Sequence, residues 1–110
     1  MNSHNISETQ FVILCTLSRT GPQKISELAE HLNITLSAVT SLSEKLIGLG
    51  YVIRKRSNED RRIVHLVLTQ EGEKFSDILL TQRRTVIRDF HKSLTDKERE
   101  LLTQIYKKMI

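Results

Sequence analysis

Residues Arg54–Gly72 read RKRSNEDRRIVHLVLTQEG, and the reading of this stretch decides the fold. Its first nine residues hold five cations and two acids. The next six alternate: Val64, Leu66 and Leu68 face one way, Ile63, His65 and Val67 the other. The pattern predicts a β-hairpin with strands over Tyr51–Ser57 and Ile63–Thr69. The hexapeptide SNEDRR (Ser57–Arg62) spans the turn between them. A cationic knot at a hairpin tip needs an anionic partner, or else it is an ordinary solvated turn in which Asn58 and Asp60 supply turn chemistry.

Working backwards, the hairpin follows two short helices. Ile25, Leu28, Ala29 and Leu32 recur at helical spacing, which predicts a helix from about Lys24 to His31. Asn33 tolerates the left-handed conformation of a tight turn, and Thr35 is a good N-cap. A third helix is expected from Leu36 to about Leu49, with Leu36, Val39, Leu42, Leu46 and Leu49 as one apolar stripe. Ser37, Ser41, Glu44 and Gly48 face the other way, and Gly50 ends the helix. Leu28, Leu32, Ile34, Val39 and Leu42 are spaced to seal a small core, with Ala29 where the helices cross closely. The start of this helix presents Thr35, Ser37, Ala38, Thr40 and Ser41, short groups suited to base edges and phosphates. Lys45 stands one turn on. On this segment alone, a helical hairpin with a solvated Ser/Thr face is the somewhat weaker alternative.

The hairpin lowers the weight of that alternative. A ribbon directly after a helix-turn-helix makes a winged helix, a mainly α fold with a small β-ribbon. The wing's Arg54, Lys55, Arg56, Arg61 and Arg62 would meet phosphates or enter a narrow, electronegative minor groove. Asp60 stands two residues before Arg62. A carboxylate there can accept hydrogen bonds from the guanidinium and aim it.

Outside this block, residues 1–6 are polar and read as a frayed end. Ser7-Glu8-Thr9-Gln10 is a capping box that opens a first helix carrying Phe11, Val12, Leu14, Cys15 and Leu17. Arg19–Gln23 (RTGPQ) breaks it. Thr69 can cap a long helix from Gln70 to about Ser93, and Thr95-Asp96-Lys97-Glu98 opens a last helix. Phe90, Leu101, Leu102, Ile105, Tyr106 and Met109 leave apolar surface on these two helices. Pairing into a two-fold dimer would cover it, and so would folding back of the arm within one chain. The expected division is a DNA-binding lobe over 1–72 and a helical dimerisation region over 73–110, one compact domain overall.

Composition sets outer limits. The 110 residues suffice for one core, and the formal charge is +4. The single cysteine, Cys15, rules out an internal disulfide and fits a reducing cytoplasm; among its apolar neighbours it reads as a buried structural residue. The scattered His4, His31, His65 and His91 suggest no metal site. No cofactor, membrane span, nucleophile–base pair or phosphate-binding loop is legible, which argues against an enzyme.

LGYVIRKRSNEDRRIVHLVLTQEG (Leu49–Gly72) resembles the signature of the MarR family of bacterial transcriptional regulators. Its parts are Gly50-Tyr51-Val52, the basic strand Arg54–Arg56, the tip Asp60-Arg61-Arg62, and Leu68-Thr69-Gln70-Glu71-Gly72. ISELAEHLNI (Ile25–Ile34) and SAVTSLSEKL (Ser37–Leu46) resemble the family's two DNA-facing helices. The resemblance implies a cytoplasmic homodimer that binds a pseudo-palindromic operator, usually as a repressor. It also allows a small-molecule effector, which the sequence does not identify. It marks Ser37, Ala38 and Thr40 as groove-facing, Lys45 as a phosphate contact, Arg62 as the wing-tip arginine and Asp60 as its orienter.

Two departures stand out. Many members carry an arginine at the position of Ser41. Members also have a dimer-building helix ahead of the position of Ser7, so here the dimer rests on the two C-terminal helices or the chain is a shortened form. These departures leave a second reading open, a winged helix that binds protein, acting as an antirepressor or assembly partner.

Overall fold

The computed structural model describes residues 6–109, with the side chain of Met109 left out. Most of the expected frayed end therefore lies outside the described residues. The elements run α1 (Glu8–Thr20), β1 (Gln23–Lys24), α2 (Ile25–Leu32), α3 (Leu36–Gly48), β2 (Val52–Arg56), β3 (Val64–Leu68), α4 (Gln70–Ser93) and α5 (Asp96–Met109). Two compact units result, Met1–Ile78 and Leu79–Ile110.

Local chemistry explains most of the helix ends. Ser7 Oγ accepts the Gln10 N–H at 3.1 Å, and Gln10 Oε1 accepts the Ser7 N–H at 2.7 Å, so the capping box forms. Thr35 Oγ1 accepts the Ala38 N–H at 3.1 Å and starts α3. Asn33 closes α2 in the left-handed region (φ 57, ψ 47). Gly50 (φ 83) closes the turn after α3, where the Tyr51 N–H donates to Leu46 O at 3.0 Å. Thr95 and Glu98 repeat the capping box before α5. The hydrogen bonds to Thr95 hold the Glu98 carboxyl below its usual range.

The sheet differs from the two-stranded expectation. Gln23 and Lys24 pair with Leu66 and His65, giving the antiparallel order β1-β3-β2. Accordingly α2 starts at Ile25, and the Lys24 N–H donates to Glu27 Oε1 at 2.8 Å. In the wing, Val52 pairs with Leu68, Arg54 with Leu66 and Arg56 with Val64.

The core of the first unit lies between α1, α2, α3 and the sheet. Ile13, Leu14, Leu28, Val39, Leu46, Val52 and Leu66 are fully buried. Each such side chain contributes about 1.5–3 kcal/mol relative to exposure. The Tyr51 ring stacks on Phe75 with centroids 4.4 Å apart, which seats the start of α4. Burial raises the Tyr51 phenol above its ordinary value, with a smaller contribution from Glu71. Gln10 Nε2, itself buried, donates to Leu42 O at 3.2 Å and ties α1 to α3.

Three side chains depart from the expected pattern. Leu36 is exposed rather than part of the buried stripe, because it stands in the first turn of α3, ahead of the surface that the core covers. Cys15 is half-buried rather than buried, since Ile13, Leu14 and Leu17 occupy the core-facing arc of α1. Ser43, unassigned from sequence, is fully buried, and its Oγ has no hydrogen-bond partner among the described residues. An unsatisfied buried hydroxyl is a net cost. Ser43→Ala is therefore expected to stabilise the chain by about 1 kcal/mol, read from the urea midpoint. A loss of stability would mean that the hydroxyl is satisfied after all.

The second unit contains the distal part of α4 and α5. Arg99 fastens the turn between them. Its Nε donates to His91 O at 2.7 Å, Nη2 to Lys92 O at 3.3 Å and Nη1 to Asp96 Oδ1 at 2.9 Å. Two of these acceptors are carbonyls at the end of α4, which the helix itself leaves open.

Candidate nucleic-acid interface

The first turns of α3 carry hydroxyls that are partly engaged. Thr35, Ser37 and Ser41 are exposed, whereas Ala38 and Thr40 are half-buried. Thr35 Oγ1 lies 3.2 Å from Ser37 Oγ, and the Thr40 hydroxyl donates to Leu36 O at 3.0 Å. The second bond directs the Thr40 hydroxyl back onto its own helix. Exposed Leu36 adds a large apolar group to the same end of the helix. Lys45 is exposed further along α3.

The wing tip is held by its own side chains. Ser57 Oγ accepts the N–H groups of Glu59 (3.2 Å) and Asp60 (3.3 Å). The Ser57 N–H donates to Ile63 O, and the Ile63 N–H to Asp60 O, both at 2.9 Å. Arg56 Nη1 donates to the Arg61 carbonyl across the hairpin. Asp60 Oδ1 accepts from the Arg62 N–H (3.0 Å) and Nε (3.1 Å), while Oδ2 accepts from Nη2 (3.0 Å). The bidentate pair restricts Arg62, although its side chain is 90% exposed. It also holds the Asp60 carboxyl below its usual range and the guanidinium above its own.

A link absent from the sequence reading joins helix and wing. Arg54 on β2 forms an ion pair with Glu44 on α3. The helical period alone puts Glu44 on the polar face of α3. Nothing in the ten-residue separation marks the pair, because it exists only once β2 packs beside α3. The contact leaves Arg54 partly neutralised, whereas Arg61 and Arg62 stand exposed at the tip. Glu44→Gln should release Arg54 to a phosphate, so the plot of log K against log salt should steepen by about one unit. An unchanged slope would mean that Arg54 reaches no phosphate.

Among the described residues, no three His, Cys, Asp or Glu side chains gather as a metal site would. No described helix is long and apolar enough to cross a membrane.

A helix-turn-helix followed by a basic antiparallel wing defines a winged helix-turn-helix protein of the DNA-binding kind. Residues 6–64 match the MarR family model, and the chain belongs to the MarR family of transcriptional regulators. It is 31% identical over 99 residues to the HTH-type transcriptional repressor MdtR of Bacillus subtilis, covering 89% of this chain and 63% of MdtR. The crystal structure of YusO, also from Bacillus subtilis, superposes with a TM-score of 0.83 at 28% identity, covering 96% of this chain and 75% of YusO. FabT of Streptococcus pneumoniae, solved in complex with DNA, superposes with a TM-score of 0.77 at 25% identity, covering 96% of this chain and 76% of FabT.

Proposed function

We propose that this regulator represses transcription in the cytoplasm by binding a pseudo-palindromic operator as a homodimer, with no catalytic step. The observation that carries the reading is the Asp60–Arg62 clamp. An almost fully exposed guanidinium is held in one direction at the tip of a wing, which suits insertion into a groove. Residues 1–72 act as the DNA-binding lobe. Ser37, Ala38, Thr40 and Ser41, with Leu36 for thymine methyl groups, meet base edges. Thr35, Lys45, Arg54, Arg56 and Arg61 meet phosphates. MdtR is named a repressor and FabT was solved with DNA, which supports both parts of the reading.

Residues 73–110 form the dimerisation region. Ile87, Phe90, Leu101, Ile105 and Tyr106 are each about half exposed, and Val86 more so. Leu102 is half-buried, and the Met109 side chain lies outside the described residues. So much exposed apolar surface on two helices suits a second copy of the same chain. The test is selection of bound sequences from random duplex DNA, with sedimentation of the protein alone. A symmetric site and a dimer are expected. Ile105→Glu should give monomers that bind the selected site poorly. A monomeric wild type with no selected sequence would favour the protein-binding reading instead.

A further inference from the structure

Leu36 is 56% exposed. Among the described residues of α1, α2 and α3 it is the one large hydrophobic side chain left in solvent. A single exposed leucine is ordinary on a protein surface. Leu36, however, is the first residue of α3, between the exposed Thr35 and Ser37. Helical side chains lean towards the N-terminus of their helix, so Leu36 projects ahead of the first turn. In a helix-turn-helix the leading end of the second helix is the part that meets base edges.

The polar groups around Leu36 are poorly suited to tell one base from another. From Thr35 to Ser43 the chain carries no Arg, Lys, Asn, Gln, Asp or Glu, the side chains that grip a base edge with directed hydrogen bonds. Thr35 Oγ1 already accepts the Ala38 N–H and lies against Ser37 Oγ. The Thr40 hydroxyl is turned onto Leu36 O, and Ser43 is buried. The first acid, Glu44, is paired with Arg54. The leading end of α3 thus offers a large apolar group where long polar readers are missing. Base edges in the major groove have one apolar feature to match it, the C5-methyl of thymine. 5-Methylcytosine carries the same methyl, whereas uracil and cytosine lack it.

We propose that α3 reads its operator through a pyrimidine C5-methyl group packed on Leu36, and that it reads the methyl rather than the base. A side chain without polar atoms forms no hydrogen bond to the O4 of thymine or the N4 of cytosine. It senses only whether apolar surface is there to be covered. A 5-methylcytosine·guanine pair therefore replaces a thymine·adenine pair at this position, and binding responds to cytosine methylation of the site. The inference rests on the DNA-binding reading and names what its recognition helix detects. Covering one methyl group raises affinity about fourfold, and covering one in each half of a symmetric site about fifteenfold.

The test uses the full chain and the duplex recovered by selection from random DNA. Each thymine is replaced in turn by uracil, and affinity is read by fluorescence anisotropy at one salt concentration. One thymine in each half-site should respond, by about fourfold alone and about fifteenfold together. A C·G pair there should bind no better than the uracil duplex, and methylating that cytosine at C5 should restore affinity to within about twofold of thymine. Leu36→Ala, an exposed change that leaves the core intact, should remove the advantage of thymine over uracil and of 5-methylcytosine over cytosine. An unchanged urea midpoint checks that this variant is folded, and the uracil scan on the wild type does not depend on it. A flat scan, no gain on methylating the cytosine, or a thymine preference that survives in Leu36→Ala would each overturn the proposal. Failure to select any sequence would overturn the DNA-binding reading and this proposal with it, whereas a selected site with a flat scan would overturn the proposal alone.

Discussion

Gly72→Ala is expected to destabilise the chain by about 3 kcal/mol or more. A Cβ at Gly72 would stand 2.1 Å from Tyr51 O and 2.7 Å from Leu68 Cδ1. The first is a backbone atom that already accepts the Thr69 N–H at 3.0 Å, so it cannot swing aside. Thr69 adds two more ties at this junction: its hydroxyl donates to Gly50 O at 2.6 Å and accepts the Gly72 N–H at 3.0 Å. Relief of the clash must lift the start of α4 from the turn that leads into the wing, disturbing the Tyr51–Phe75 stack as it goes. For a domain of this size the melting midpoint should fall on the order of 15 °C. Gly48→Ala is the control. Gly48 ends α3 with nothing within 4 Å of its absent Cβ, so alanine there should be neutral or stabilising by up to about 1 kcal/mol. Calorimetry of both variants decides the matter. Equal midpoints would show that α4 can shift at little cost.

The second large effect is expected at the wing tip, in DNA affinity rather than stability. Arg62→Ala should weaken operator binding roughly ten- to a hundredfold. The loss should shrink when A·T pairs under the wing are replaced by G·C, because the narrow groove that favours arginine is then gone. Asp60→Asn should also weaken specific binding, although it makes the protein more positive. A pure charge effect predicts the opposite sign. Tighter operator binding by Asp60→Asn would remove the aiming role, and an equal loss for Arg62→Ala on both flanks would reduce the wing to an electrostatic clamp. The pH dependence has a definite direction. Arg62 lowers the Asp60 pKa, so the clamp is intact above the ordinary carboxylate range and is lost only as pH falls through the lowered value. Wing-dependent affinity should therefore be flat from neutral pH down to about the usual carboxylate pKa.

How much of this was legible in the sequence depended on the reach of each interaction. The capping boxes at Ser7–Gln10 and Thr95–Glu98, the Thr35 cap, the left-handed Asn33 and the Asp60–Arg62 pair all join residues two or three apart, or lie within one residue. Chain connectivity alone brings such groups together. The alternation of β3 and the length of α4 followed from periodicity, since each element's apolar pattern has only one regular structure that gathers it on one side.

The remainder awaited tertiary contact. β1 is two residues long and has no pattern of its own; it is a strand because β3 lies beside it. Leu36 is exposed against expectation, and Ser43 is buried without having been assigned, because periodicity gives the direction of a face but not how far the neighbouring elements cover it. The Glu44–Arg54 pair arises where α3 meets β2, and the narrow space at Gly72 where α4 meets the turn into β2. Local sequence thus determined the helices, their caps and the wing hairpin, because short-range hydrogen bonds and side-chain period suffice for them. Packing between elements decided which side chains are covered, which cations are neutralised and where a methyl group cannot fit, because each depends on atoms distant in the chain that only the folded core brings within reach.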